Sequence, residues 1–161
     1  MNRRRSTIIL TGTMLLGLAI AGAQPGFAQS SALIGTWKLN LEKSKYNPGP
    51  PPRSATLTYT QDGQNFRNTS QNIDAQGNAT TTVFMHIYDG QPHPTTGSPL
   101  FDASAYTRVD ANTIIYTRLK AGKLIQIGTL VISQDGKTLT GTQTGTLANG
   151  PGNAILVYDK Q

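Results

Sequence analysis

The chain has 161 residues, with 14 lysines and arginines against 8 aspartates and glutamates, two histidines and no cysteine. That length suits one domain, and the missing thiols exclude disulfides, thiolate metal sites and a cysteine nucleophile. The formal charge of +6 sits largely at the start: without Arg3, Arg4 and Arg5 it becomes +3, and no Lys/Arg cluster remains that would suit nucleic acid.

The three arginines precede a mostly apolar run, 8–23, and two small-residue sites, Ala21-Gly22-Ala23 and Gly26-Phe27-Ala28. This succession predicts a secretory signal peptide over 1–28, cut after Ala23 or Ala28. The apolar run is short for a membrane span, so no span is expected after processing. A cut after Ala28 leaves 133 residues, enough for one hydrophobic core without covalent staples. An exported chain free of disulfides points to a bacterial periplasm or exterior.

The mature region, 29–161, reads as a single domain of short strands. In 35–41 the apolar Trp37, Leu39 and Leu41 alternate with Thr36, Lys38 and Asn40, the two-residue period of a half-buried strand. Trp37 is the only tryptophan, and a buried indole needs one partner for its N–H. Pro48, Pro50, Pro51 and Pro52 then form a stiff, extended connector. Residues 54–60 alternate again, and Asp62-Gly63 is a hairpin turn. The polar stretch 64–73 is expected as an exposed strand. Residues 80–88 form another strand, and 89–99 a long loop. Five further strands are expected over 103–109, 113–119, 123–133, 137–146 and 154–158, with Asn149-Gly150-Pro151-Gly152 as the last turn. No amphipathic helix is visible. Eight or nine sequential strands joined by short turns predict an all-β, up-and-down antiparallel meander that removes its edges by closing into a barrel.

Gly35-Thr36-Trp37 resembles the opening of lipocalins and fatty-acid-binding proteins, where the tryptophan closes one end of a β-barrel. Val157-Tyr158-Asp159-Lys160 resembles the ending of fatty-acid-binding proteins, whose last strand carries an Arg-X-Tyr grip for the ligand carboxylate. Here Tyr158 matches the tyrosine and Leu156 stands at the arginine's place. The resemblance therefore implies a preference for neutral or weakly acidic amphipathic ligands over simple fatty acids. The helical lid of that family is replaced by the proline connector. The mature chain as a whole resembles small uncharacterised bacterial exported proteins with a lipocalin-like (calycin-type) barrel. The residues that carry this are 35–40, 48–52, Asp89-Gly90 with 94–97, 110–113, 133–138 and 157–161. It implies the fold and no particular activity.

Tyr59, Phe84, Tyr106, Tyr116 and Tyr158, with Arg108 and Arg118, are the candidate ligand-binding residues. A cation beside an apolar cavity would orient an acidic ligand. The alternative is that the aromatics fill the core and the arginines lie on the surface or cap the barrel end. His86 and His93 are the only histidines; two of them without cysteine make a weak metal set, and neither metal nor cofactor is expected. Ser98 lies near His93, Asp89 and Asp102 in sequence, but Gly97-Ser98-Pro99 lacks the second glycine of a nucleophile elbow. The leading expectation is a non-enzymatic binder of a small apolar or amphipathic molecule. A filled barrel acting as an envelope interaction module, and a hydrolase or isomerase with its site at the barrel mouth, are the competing readings.

Overall fold

The computed structural model describes residues 31–161; the expected signal peptide, 1–28, lies outside the described residues. One turn of 3-10 helix, Ser31–Leu33, precedes the first strand. Among the described residues no helix is long and apolar enough to cross a membrane.

Eleven strands follow: β1 (Gly35–Leu39), β2 (Lys45–Asn47), β3 (Ser54–Asp62), β4 (Asn65–Ile73), β5 (Ala79–His86), β6 (His93–Thr96), β7 (Ala103–Arg108), β8 (Thr113–Lys120), β9 (Lys123–Ile132), β10 (Thr138–Leu147) and β11 (Gly150–Lys160). From β3 to β11 each strand pairs with the next, and β1 pairs with both β3 and β11. The pairings are antiparallel and close a ring of ten, so the ring exposes no unpaired edge. The closed antiparallel barrel read from the sequence is the observed fold, with more strands than eight or nine.

The two added strands have physical causes. β10 covers one edge of β11 from Thr138↔Asp159 to Leu147↔Gly150. β1 and β2 share the other edge, with Leu39↔Tyr158 on one side of a break and Lys45↔Ile155 on the other. They form one stave interrupted by the bulge 40–44. At the break the Asn40 N–H donates to the Val157 carbonyl (2.8 Å), and the Val157 N–H donates to Ser44 Oγ (2.9 Å). A serine hydroxyl thus replaces the lost backbone partner. Leu41, expected inward with Trp37 and Leu39, falls in this bulge and is exposed.

β6 lies inside the expected loop 89–99. It pairs with β5 only at Val83↔Thr96 and Phe84↔Thr95, and with β7 only at His93↔Ser104 and Pro94↔Ala103. Pro94 lacks an N–H, which makes the stretch read as a loop. Thr95 compensates: its N–H donates to the Asp102 carbonyl (2.9 Å), and its hydroxyl lies 2.7 Å from that of Ser104. The last expected turn is also corrected. Gly150, Pro151 and Gly152 already belong to β11 and pair with β10, leaving Ala148-Asn149 as the turn.

One end of the barrel is packed solid. Leu33, Trp37, Phe66, Ile114, Ile132 and Leu139 are all at most 2% exposed. The Trp37 indole N–H donates to the Leu33 carbonyl (2.8 Å), so burying the ring leaves no orphaned donor. Lys160 lies across it, with Nζ 5.0 Å from the ring and donating to the Ala32 carbonyl (2.6 Å). Further up, Tyr116 faces Gly128 across the β8–β9 ladder. A Cβ at Gly128 would collide with the Tyr116 ring and the Thr142 carbonyl, so glycine is needed there to admit the phenol.

Candidate ligand-binding cavity

Beyond the packed end the barrel holds a cavity of about 390 Å³. That lies in the range of small-molecule sites, and a ring of ten staves is wider than one of eight. Its two long walls differ. β4 and β5 contribute Asn68, Ser70, Asn72, Thr80 and Thr82. The side across the ring contributes Leu130, Gly141, Leu147, Leu156 and Tyr158, and Leu57 on β3 lies beside Ser70 of the first wall. The loop from Ser98 to Phe101 closes over one side. At the mouth a second space of about 180 Å³ lies against Tyr46, Pro48, Pro50 and Pro52 and shares Asn72, Leu156 and Tyr158 with the main cavity. The Asn149 side chain fastens the proline segment there, donating from Nδ2 to the Pro50 carbonyl (2.9 Å).

Arg118 is the buried cation of the cavity. It is 7% exposed and lines the cavity. Its Cζ lies 4.2 Å from the Tyr116 ring centre, 4.4 Å from Phe84, 5.1 Å from Tyr106 and 5.3 Å from Phe101. Aromatic faces thereby cover much of the guanidinium and stabilise the cation. Its edge is less well served: Nη1 is buried without a hydrogen-bond partner. The ion pairs among the described residues are Lys43–Asp159, His93–Asp89 and Lys120–Asp102, so no protein carboxylate neutralises Arg118. A buried, uncompensated cation is costly, and a guanidinium edge fits a carboxylate or similar anion bidentately.

A layer of aromatic rings lies beneath. His86, 3% exposed, stacks on Tyr106 with centroids 3.9 Å apart and on Phe66 at 5.7 Å. Neither imidazole nitrogen has a partner. Burial, then the charges of Arg118, His93 and Arg108, push the His86 pKa down to about 3. Burial also pushes the Tyr116 phenol up to about 12, and moves those of Tyr59 and Tyr158 well above the ordinary value. These phenols are neutral hydrogen-bonding groups.

Of the residues singled out in the sequence, Tyr59, Phe84, Tyr116, Arg118 and Tyr158 line the cavity together. Tyr106 lies in the layer beneath, and Trp37 is at the packed end. Arg108 is elsewhere: its Cζ is 4.3 Å from the Tyr88 ring, and Nη1 reaches the Ala111 carbonyl at 3.5 Å. Leu156 stands beside Tyr158 in the lining, and the cation it does not supply comes from β8. Sequence reading missed the polar wall. Its signal was that Asn68, Ser70 and Asn72 share the parity of Phe66, which the high polarity of β4 obscured.

The histidines do not combine. His86 is in the aromatic layer, whereas His93 lies on the loop side with Nε2 3.0 Å from Asp89 Oδ1. The Gln91 N–H and then His93 hold the Asp89 carboxyl below its usual range. Ser98 Oγ accepts from the N–H groups of Leu100 (3.2 Å) and Phe101 (3.4 Å), so it caps a turn. No cluster of three potential His, Asp or Glu metal ligands occurs among the described residues.

No protein-family model matches the chain, and no curated protein matches it. Solved structures do. A Schistosoma mansoni fatty acid binding protein in complex with arachidonic acid aligns with a TM-score of 0.56 at 15% identity, covering 83% of this chain and 98% of that one. The REP1-NXSQ fatty acid transporter aligns at 0.54 and 14% identity, with 80% and 96% covered. Zebrafish ileal bile acid-binding protein complexed with cholic acid aligns at 0.52 and 18% identity, with 81% and 100% covered. At these identities what is shared is the architecture: the chain has a calycin-like closed β-barrel fold.

Proposed function

We propose that this chain is an exported, periplasmic or secreted, non-enzymatic carrier of a small amphipathic molecule, akin to small bacterial exported proteins with a calycin-type barrel. The acidic group of the ligand lies at Arg118 and its apolar body in the cavity. The observation that carries this reading is a buried guanidinium with no carboxylate partner, facing a cavity of about 390 Å³. A filled barrel would have no such space, and a mouth-located hydrolase would need a nucleophile beside a base, whereas Ser98 is committed to its turn. The three similar structures support the same class of cargo, since two are named for fatty acids and one for a bile acid.

Displacement of a fluorescent apolar probe tests it. A long-chain acid is expected to displace the probe more strongly than the matching alcohol. Changing Arg118→Gln should weaken the acid roughly 10- to 100-fold, the scale of one hydrogen bond to a charged group, and leave the alcohol nearly unchanged. Failure of every apolar probe to bind would overturn the reading in favour of an interaction module.

A further inference from the structure

Resting on that reading, we infer that the cargo is an amphipathic acid with hydroxyl groups recurring along one side of its body, a facial amphiphile rather than a plain hydrocarbon chain. The two walls carry the inference. On β4 and β5 the facing pairs are Ser70↔Thr82 and Asn72↔Thr80, with Asn68 opposite Phe84. All line the cavity, so hydroxyl and amide groups climb from the level of Phe84 towards the mouth. Successive inward positions on a strand lie roughly 6.6 Å apart, a spacing suited to polar groups spread over a rigid skeleton.

The wall across the ring offers less. Besides its leucines it holds the Tyr158 phenol and two glutamines, each glutamine with one amide atom turned to the barrel. Gln126 Nε2 donates to the Thr146 carbonyl (3.1 Å), and Gln143 Oε1 accepts from the Tyr116 hydroxyl (3.4 Å). On the polar wall, Asn68 is 3% exposed and its Oδ1 has no partner. A buried acceptor left unmade costs free energy that a donor on the ligand would recover. Asn68 also stands next to the anion site, because its ladder partner Phe84 lies under the Arg118 guanidinium at 4.4 Å. A saturated hydrocarbon chain laid on this wall would desolvate several polar groups without replacing their hydrogen bonds. A molecule with one hydroxylated side and one apolar side matches both walls and places its acid at Arg118.

The test is a displacement series on one steroid-acid skeleton: cholanate without ring hydroxyls, lithocholate with one, and cholate, the trihydroxy member, with palmitate beside them. Affinity should rise with hydroxylation, by about tenfold or more from cholanate to cholate if several hydrogen bonds form. The double variant Ser70→Ala, Thr82→Val should compress that ratio to within about twofold if these hydroxyls read the ligand. Equal or falling affinity across the wild-type series would overturn this inference alone, because cholanate and palmitate would still bind and the carrier reading would stand. Binding of none of the acids would overturn both. The wild-type series needs no variant to fold, so its outcome decides the matter by itself.

Discussion

His86 is buried with neither ring nitrogen partnered, and this ties the stability of the barrel to pH. Folded, its pKa is about 3; unfolded, it returns to about 6.5. Between those values the unfolded chain binds the proton and the folded chain refuses it. Stability is therefore full above about pH 6.5 and falls as the pH drops towards 3, by up to about 1.4 kcal/mol per unit. Urea melts of wild type and His86→Phe across this window check it: the variant, whose ring can still stack on Tyr106, should show a flatter acid slope. Trp37 offers a second measurement. It is fully buried with its N–H satisfied by Leu33, and Trp37→Ala should cost about 3–5 kcal/mol in a denaturation curve. A cost at the level of a surface change would mean that the packed end closes without the indole.

At the level of the strand, legibility depended on which face carried the apolar residues. β3 was plain in the sequence because Ala55, Leu57 and Tyr59 are inward and buried, with threonines between them. β4 was misread as exposed because Asn68, Ser70 and Asn72 are polar and yet face inward, where a cavity takes the place of packed core. Of the cavity residues, the aromatics and Arg118 could be named in advance. Both arginines share the inward parity of their strands, and their level along the barrel separates them: Arg118 pairs with Ser104 at the cavity, whereas Arg108 pairs with Ile114 towards the packed end and lies on Tyr88. The breaks in β1–β2 and around Pro94 were invisible for another reason: each is held by a side chain, Ser44 reaching Val157 far along the chain and Thr95 reaching Ser104 across the next turn. Gly128 gives a prediction on this scale. Gly128→Ala would press a methyl group into the Tyr116 ring and the Thr142 carbonyl, costing about 1–3 kcal/mol as overpacking does. A thermal melt should show a lowered midpoint, and the simultaneous change Tyr116→Leu should recover part of it by removing the phenol.

For the molecule as a whole, the proposed export rests on residues outside the described ones. The basic, apolar and small-residue succession of 1–28 predicts that N-terminal sequencing of exported protein will begin near Gln24 or Gln29. A stable product that retains Arg3, Arg4 and Arg5 would sink the signal-peptide reading. The barrel itself is a ring in which β1 and β11 are hydrogen-bonded neighbours, with Trp37 opposite Lys160 and the Gln161 N–H donating to the Thr36 carbonyl (2.9 Å). A ring has no privileged starting stave. A circularly permuted gene, opened at the exposed Ala121-Gly122 turn between β8 and β9 and joined from residue 161 back to 31 by a short Gly/Ser linker, should rebuild the same barrel. The covalent break would then fall beside the strand that carries Arg118, leaving the residues that enclose the cavity the same.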